Sequence, residues 1–122
     1  MAWLTFNRPE KKHAMSHKFM AELIAALKEL ADNEKIKCVV TTGTGDSYSS
    51  GLDLYDLRDS WKRKRRWDEG GSTYEIVKLL RSVPQVTVAA INGWCLGGGL
   101  ALLNGHDLAV SCESAMFGMP EV

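Results

Sequence analysis

The sequence predicts an α/β domain. Three observations carry this: β-branched apolar runs recur along the chain, stretches with helical apolar spacing lie between them, and the strand-like runs end in glycine-centred turns. Trp3 to Phe6 open with a strand pattern. Asn7-Arg8-Pro9-Glu10-Lys11-Lys12 is then a polar loop, because Pro9 cannot continue an interior strand. Ser16 is a candidate N-cap. After it Met20, Leu23, Ile24, Leu27, Leu30 and Ala31 repeat at three- and four-residue spacing, one apolar stripe along a helix. Cys38-Val39-Val40-Thr41-Thr42 is a buried-strand run bounded by Gly43 and Gly45. The next loop is predicted to carry Ser49 to Leu54. From Leu57 to Gly71 the chain has a helical bias but no persistent apolar face, and the basic run Lys62-Arg63-Lys64-Arg65-Arg66 between Trp61 and Trp67 predicts an exposed, mobile segment. Tyr74, Ile76, Val77, Leu79 and Leu80 predict a second amphipathic helix that stops before Pro84, since the residue preceding a proline avoids the α region. Val86 to Ile91 is a strand, Asn92-Gly93 a turn, and Gly97-Gly98-Gly99 the start of a short helix reaching Leu103. Leu108 to Ser111 and Ala115 to Phe117 are two further brief strands. No internal sequence repeat is evident.

With 45% hydrophobic and 25% charged residues over 122 positions, the chain has the composition of one soluble globular domain, without a disordered or membrane-spanning stretch. Fifteen basic residues balance fifteen acidic ones, so net charge offers no attraction to nucleic acid or to an anionic membrane. The basic run is flanked by Asp56, Asp59, Asp68 and Glu69, which favours a solvated helix or a lid over a nucleic-acid stripe. The cysteines, Cys38, Cys95 and Cys112, are odd in number, widely spaced and set in apolar sequence. They are expected to be buried, reduced thiols of a cytoplasmic protein, or of an organellar matrix in a eukaryote, with no disulfide framework. The N-terminal residues carry no secretory pattern, and the abrupt ending at Met119-Pro120-Glu121-Val122 predicts an incomplete domain.

Two glycine-centred turns, each just after a β-rich run, are the strongest local features. At Gly51 the missing side chain lets the backbone approach a ligand and leaves the next N–H, that of Leu52, free to donate. Gly97-Gly98-Gly99 at a helix start does the same with unpaired first-turn N–H groups. Together they predict an oxyanion hole, which stabilises charge developing on a carbonyl oxygen. The alternative is a pair of tight turns with no ligand.

Four segments make a resemblance specific: Asn7-Arg8-Pro9-Glu10-Lys11-Lys12-His13-Ala14-Met15, Ser49-Ser50-Gly51-Leu52-Asp53-Leu54, Ile91-Asn92-Gly93-Trp94-Cys95-Leu96-Gly97-Gly98-Gly99 and Phe117-Gly118-Met119-Pro120-Glu121. In order and spacing they resemble four successive motifs of the crotonase (enoyl-CoA hydratase/isomerase) family, and the resemblance covers essentially the whole chain. It implies a crotonase-like spiral of ββα units, C-terminally truncated, with residues 1–122 a partial core domain lacking the C-terminal helical part. It further implies an acyl-CoA thioester substrate, no cofactor beyond the coenzyme A that the substrate carries, and assembly as a homotrimer or hexamer when full length.

Carried over residue by residue, the family pattern implies oxyanion N–H groups at Leu52 and Gly98 and a catalytic carboxylate at Glu121. The loop from Arg8 to Lys12 resembles the segment that embraces coenzyme A, where Lys11 or Lys12 would neutralise phosphate. Ser50, Gly51, Asp53 and Gly97 complete the set expected at the acyl-CoA site, with Asp53 expected to brace its own loop. Hydratases of the family place a second glutamate two residues beyond the glycine triplet, where this chain has Ala101. A single carboxylate suits isomerisation or other one-base chemistry, more so if an apolar pocket raises its pKa. Hydroxycinnamoyl-CoA hydratase-lyases and acyl-CoA hydrolases of the superfamily share this departure. Trp94-Cys95 resembles the hydratase-lyases, but their tyrosine near the first oxyanion loop is not matched at Leu57, and Tyr55 lies off register. From a different class, a non-catalytic acyl-CoA binding or assembly module is the competing expectation, motivated by Ala101 and the truncation.

Cys95 has no paired histidine and is expected to be a structural thiol rather than a nucleophile. His13, His17 and His106 lack metal-ligand spacing with any cysteine or carboxylate cluster, so no metal site is expected.

Overall fold

A computed structural model describes residues 1–63 and 72–121. The chain runs β1 (Ala2–Phe6), a 3-10 turn (Pro9–Lys11), α1 (His17–Ala31), β2 (Cys38–Gly43), β3 (Ser47–Ser49), α2 (Leu54–Lys62), α3 (Thr73–Leu80), β4 (Val86–Ile91), β5 (Trp94–Leu96), α4 (Gly98–Leu103), β6 (Leu108–Ser111) and β7 (Met116–Gly118). Strands β1, β2, β4 and β6 form one parallel sheet in the order β1-β2-β4-β6, and β3, β5 and β7 form a second parallel sheet in that order. From β2 onward, each turn of the chain therefore gives one strand to the first sheet and one to the second before crossing back. Parallel pairing requires such a crossover, which α2 and α3 supply after β3 and α4 supplies after β5. This is a ββα repeat in space without a repeat in sequence.

The predicted stripe of α1 turns inward: Met20, Leu23, Ile24 and Leu27 are buried, while Ser16 caps the helix by accepting the Phe19 N–H at 3.1 Å. On α3 the buried residues are Ile76 and Leu80, one helical turn apart. These side chains join Phe6, Met15, Tyr48, Ile91 and Leu102 in one core. Asn92 fastens the two sheets where they meet, its Oδ1 accepting the Gly43 N–H at 3.0 Å and its Nδ2 donating to the carbonyls of Gly45 and Ser47.

Three expectations are corrected. The second sheet was not anticipated at β3 and β5, since Ser-Tyr-Ser and Trp-Cys-Leu are too short to show a period. The helical bias read from Leu57 is real, but the helix, α2, already begins at Leu54, where a loop was predicted, because Asp53 accepts the N–H groups of Tyr55 (3.0 Å) and Asp56 (3.3 Å). The expected mobile stretch beyond it, at 64–71, lies outside the described residues. Finally, only Cys95 is buried; Cys38, at the start of the inner strand β2, is half-buried, and Cys112, just past the edge strand β6, is exposed, so apolar neighbours in sequence did not translate into burial.

Candidate active site

The loop between β1 and α1 is sewn to the loop between β3 and α2. Ser50 N donates to Lys12 O (2.9 Å), Met15 N to Gly51 O (2.7 Å), Asp53 N to Met15 O (3.1 Å), and Ser49 Oγ to His13 O (3.0 Å). Arg8 closes the seam, donating from one guanidinium nitrogen to Asp53 Oδ2 (2.7 Å) and to Ala14 O (3.0 Å). Met15 and Leu52 form a parallel bridge in which Met15 holds the flanking residues of the other loop. In that pattern the Leu52 N–H points away from Met15, and among the described residues it finds no acceptor.

Gly51 makes the turn that exposes it. Its φ of +96° belongs to glycine, and a Cβ there would lie 2.9 Å from Gly98 N and 3.0 Å from Leu96 O, both backbone atoms. We therefore expect Gly51→Ala to destabilise the fold by about 2 kcal/mol or more, read as a lower urea midpoint at unchanged m.

The second predicted donor lies beside the first. Gly98 is the first residue of α4, and a Cβ on it would stand 3.4 Å from Leu52 N. The two amide nitrogens are thus at most about 6 Å apart, a separation that one oxygen can bridge at ordinary hydrogen-bond lengths. Gly98 N–H also lacks an acceptor among the described residues, whereas its neighbour Gly97 donates to Gly118 O at 2.9 Å. Both Leu52 and Gly98 are part-exposed, between the buried residues Gly51, Asp53, Gly97 and Gly99.

Glu121 reaches the same place. Its Oε1 overlies Gly97, and its Cδ is 3.1 Å from where a Gly97 Cβ would sit. Gly97 has a φ of +50°, a conformation that favours glycine, and its missing side chain leaves that carboxylate room. Glu121 is exposed to solvent, as is Ala101, on α4.

The cations of the first loop have partners within the chain. Arg8 is held by Asp53, Lys12 Nζ contacts both carboxylate oxygens of Asp46 at 2.8 and 2.7 Å, and Lys11 Nζ stands 5.4 Å from the centre of the Tyr55 ring. Burial disfavours the charge on Asp53, but the Arg8 guanidinium and the two α2 N–H groups outweigh it and hold the carboxyl below the ordinary carboxylate range. A lowered folded-state pKa contributes stability that is fully present above the unfolded value of about 4 and is lost as pH falls through the folded value. Asp53→Asn should therefore cost about 2 kcal/mol at pH 7. In urea melts that difference should close as the pH falls through the lowered folded-state value of Asp53.

Two residues that sequence reasoning did not single out hold this geometry. Ser49 Oγ accepts the Gly51 N–H at 3.2 Å while donating to His13 O, and a Cβ on Gly99 would lie 2.7 Å from Ser49 O. His13, fully buried at φ +53°, accepts the Arg8 N–H on Nδ1 (3.0 Å), so its Nε2 is the donor to Thr44 O (2.8 Å). The one available sign was their place within two of the four quoted segments.

A family model described as enoyl-CoA hydratase/isomerase matches residues 1–122. YngF of Bacillus subtilis, provisionally named an enoyl-CoA hydratase/isomerase, is 37% identical over 122 residues, which cover 99% of this chain and 46% of that protein. The hydroxycinnamoyl-CoA hydratase-lyase of Pseudomonas fluorescens is 33% identical over 134 residues, covering 100% of this chain and 46% of its own length. The crystal structure of an enoyl-CoA hydratase subunit I from Geobacillus kaustophilus superposes with a TM-score of 0.84 at 31% identity, over 98% of this chain and 45% of that one. The chain spans about half the length of the curated relatives it matches. It belongs to the enoyl-CoA hydratase/isomerase family.

Proposed function

We propose that this chain supplies the acyl-CoA site of an enzyme that polarises a thioester carbonyl between the N–H groups of Leu52 and Gly98 and moves a proton with Glu121. What supports this reading most is the pair of neighbouring amides without an acceptor, with one carboxylate over Gly97. Negative charge gathers on the thioester oxygen when an α-proton leaves, and preformed donors stabilise that charge more than they stabilise the ground state. With 3-enoyl-CoA, the Glu121 carboxylate takes a proton from C2. The C–H pair becomes part of the enolate, and the Glu121 acid returns the proton to C4. The product is 2-enoyl-CoA and Glu121 is again ionised, so nothing else is consumed.

Ala101 favours this one-base isomerisation over hydration, which asks for a second group to position water. Such chemistry needs neither a metal nor a redox cofactor; coenzyme A enters with the substrate. Arg8, Lys11, Lys12, Ser50, Gly51, Asp53 and Gly97 form the surface proposed to receive it. Homotrimeric or hexameric assembly and a cytoplasmic or matrix location complete the reading; no helix among the described residues is long and apolar enough to cross a membrane. A second reading, hydratase-lyase chemistry on an aromatic acyl-CoA, is favoured by the similarity to the Pseudomonas fluorescens enzyme and by Trp94-Cys95.

The test is turnover by the native protein with 3-enoyl-, 2-enoyl- and hydroxycinnamoyl-CoA esters, beside calorimetry with the same esters. Faster conversion of the 3-enoyl ester supports isomerisation. Cleavage of the aromatic ester supports the lyase. Binding without turnover of any ester contradicts catalysis and leaves an acyl-CoA binding module.

A further inference from the structure

Three side chains away from the donor loops, two of them fully buried and the third, His106, half-buried, join the helix that carries Gly98 to the main sheet. Thr41 on β2 and Tyr48 on β3 are fully buried, and Thr41 Oγ1 lies 2.8 Å from Tyr48 Oη and 2.8 Å from His106 Nε2. On its other side, His106 Nδ1 lies 2.9 Å from Leu102 O. A carbonyl only accepts, so the ring carries its proton on Nδ1. Nε2 must then accept from the Thr41 hydroxyl, and Thr41 in turn accepts from Tyr48. One direction alone satisfies every donor. Burial pushes the Tyr48 phenol up and the His106 imidazole down, which keeps both in the neutral forms that this direction uses.

The chain of bonds ends on Leu102, in the last turn of α4, and Gly98 is the first residue of that helix. At the Gly98 end, Gly99 rests on the Ser49 carbonyl, where even a methyl would not fit. Ser49 of β3 thus seats the Gly98 end of α4 directly, and Thr41 of β2 holds the far end through His106. In a helix of only six residues, a tilt at one end displaces the other.

We propose that Thr41 and His106 are positioning residues for Gly98, pinning the far end of α4 to β2 and so setting its first N–H at the separation from Leu52 N that a thioester oxygen requires. The inference rests on the oxyanion reading above, and its test separates the two. In the native protein, Thr41→Val deletes the central hydroxyl at nearly constant volume, Thr41→Ser restores it, and Tyr48→Phe removes a buried hydrogen bond while leaving Thr41 on His106. We expect kcat to fall by about tenfold or more in Thr41→Val with KM nearly unchanged, to recover in Thr41→Ser, and to stay close to wild type in Tyr48→Phe. The Gly98 amide resonance of the ligand-free protein should move in Thr41→Val and return in Thr41→Ser. Equal losses of kcat in Thr41→Val and Tyr48→Phe would mark a purely structural role and overturn the proposal, and so would an unmoved Gly98 resonance. If the wild-type protein turns over no acyl-CoA, the oxyanion reading fails, and the resonance alone decides whether this network sets the position of Gly98.

Discussion

Replacing Gly98 by proline should lower kcat by about two to three orders of magnitude, equivalent to about 3–4 kcal/mol of barrier, while leaving the protein folded. The two halves of that expectation have separate physical grounds. Proline deletes the N–H itself, so the developing thioester oxyanion loses one of its two proposed donors, and the site is too preorganised to recruit a replacement. Folding is spared because Gly98 opens α4, where proline's fixed φ and missing N–H are well tolerated. Its Cβ would meet the terminal methyl of Met15 at 2.7 Å, and the far end of a flexible side chain can yield. A loss confined to kcat identifies a donor used in the transition state. An equal loss of thermal stability would instead point to displaced packing. The check is steady-state kinetics beside a thermal melt of the same sample.

Glu121→Gln should lower turnover by about 10²- to 10⁴-fold with binding of a saturated acyl-CoA intact. Glutamine keeps the volume and polarity over Gly97 but cannot accept the α-proton. Since α4 carries no carboxylate, with Ala101 on its exposed side, none there can take over the role. Calorimetry with the saturated ester and turnover of the 3-enoyl ester separate binding from chemistry. Unchanged turnover removes Glu121 from the mechanism.

Much of the frame was legible in the sequence because its signals are local. The stripe from Met20 to Leu27, the serine that caps it and the proline after α3 each act within a few residues, and the structure places α1, α3 and β4 where they predict. The two turns that carry the proposed donors were legible for a related reason: glycine is the residue whose backbone freedom shows in the letter itself. What holds those donors was not legible. Arg8 and Asp53 are 45 residues apart, Ser49 and His13 are 36 apart, and half of the hydrogen bonds between their loops run backbone to backbone, where any side chain would serve. The same holds for α2, whose start depends on Asp53 as an N-cap. Its apolar residues are few, and Leu54, Tyr55 and Trp61 are exposed, so periodicity carried no message there. The lysines show the converse: two cations in a surface loop read as a phosphate clamp, and the structure pairs one with Asp46 and sets the other over Tyr55. Any hold on coenzyme A phosphates must therefore compete with those contacts, which solvent weakens at exposed positions.

The account turns on two amide hydrogens meeting at one oxygen. The carbonyl stretch of a saturated acyl-CoA labelled with ¹³C at the thioester carbon, taken as an infrared difference spectrum on binding to the native protein, reports that meeting directly. A move to lower wavenumber relative to the free ester in water, diminished in Gly98→Pro, is the result expected. A bound carbonyl that absorbs where the free one does, or higher, would contradict it.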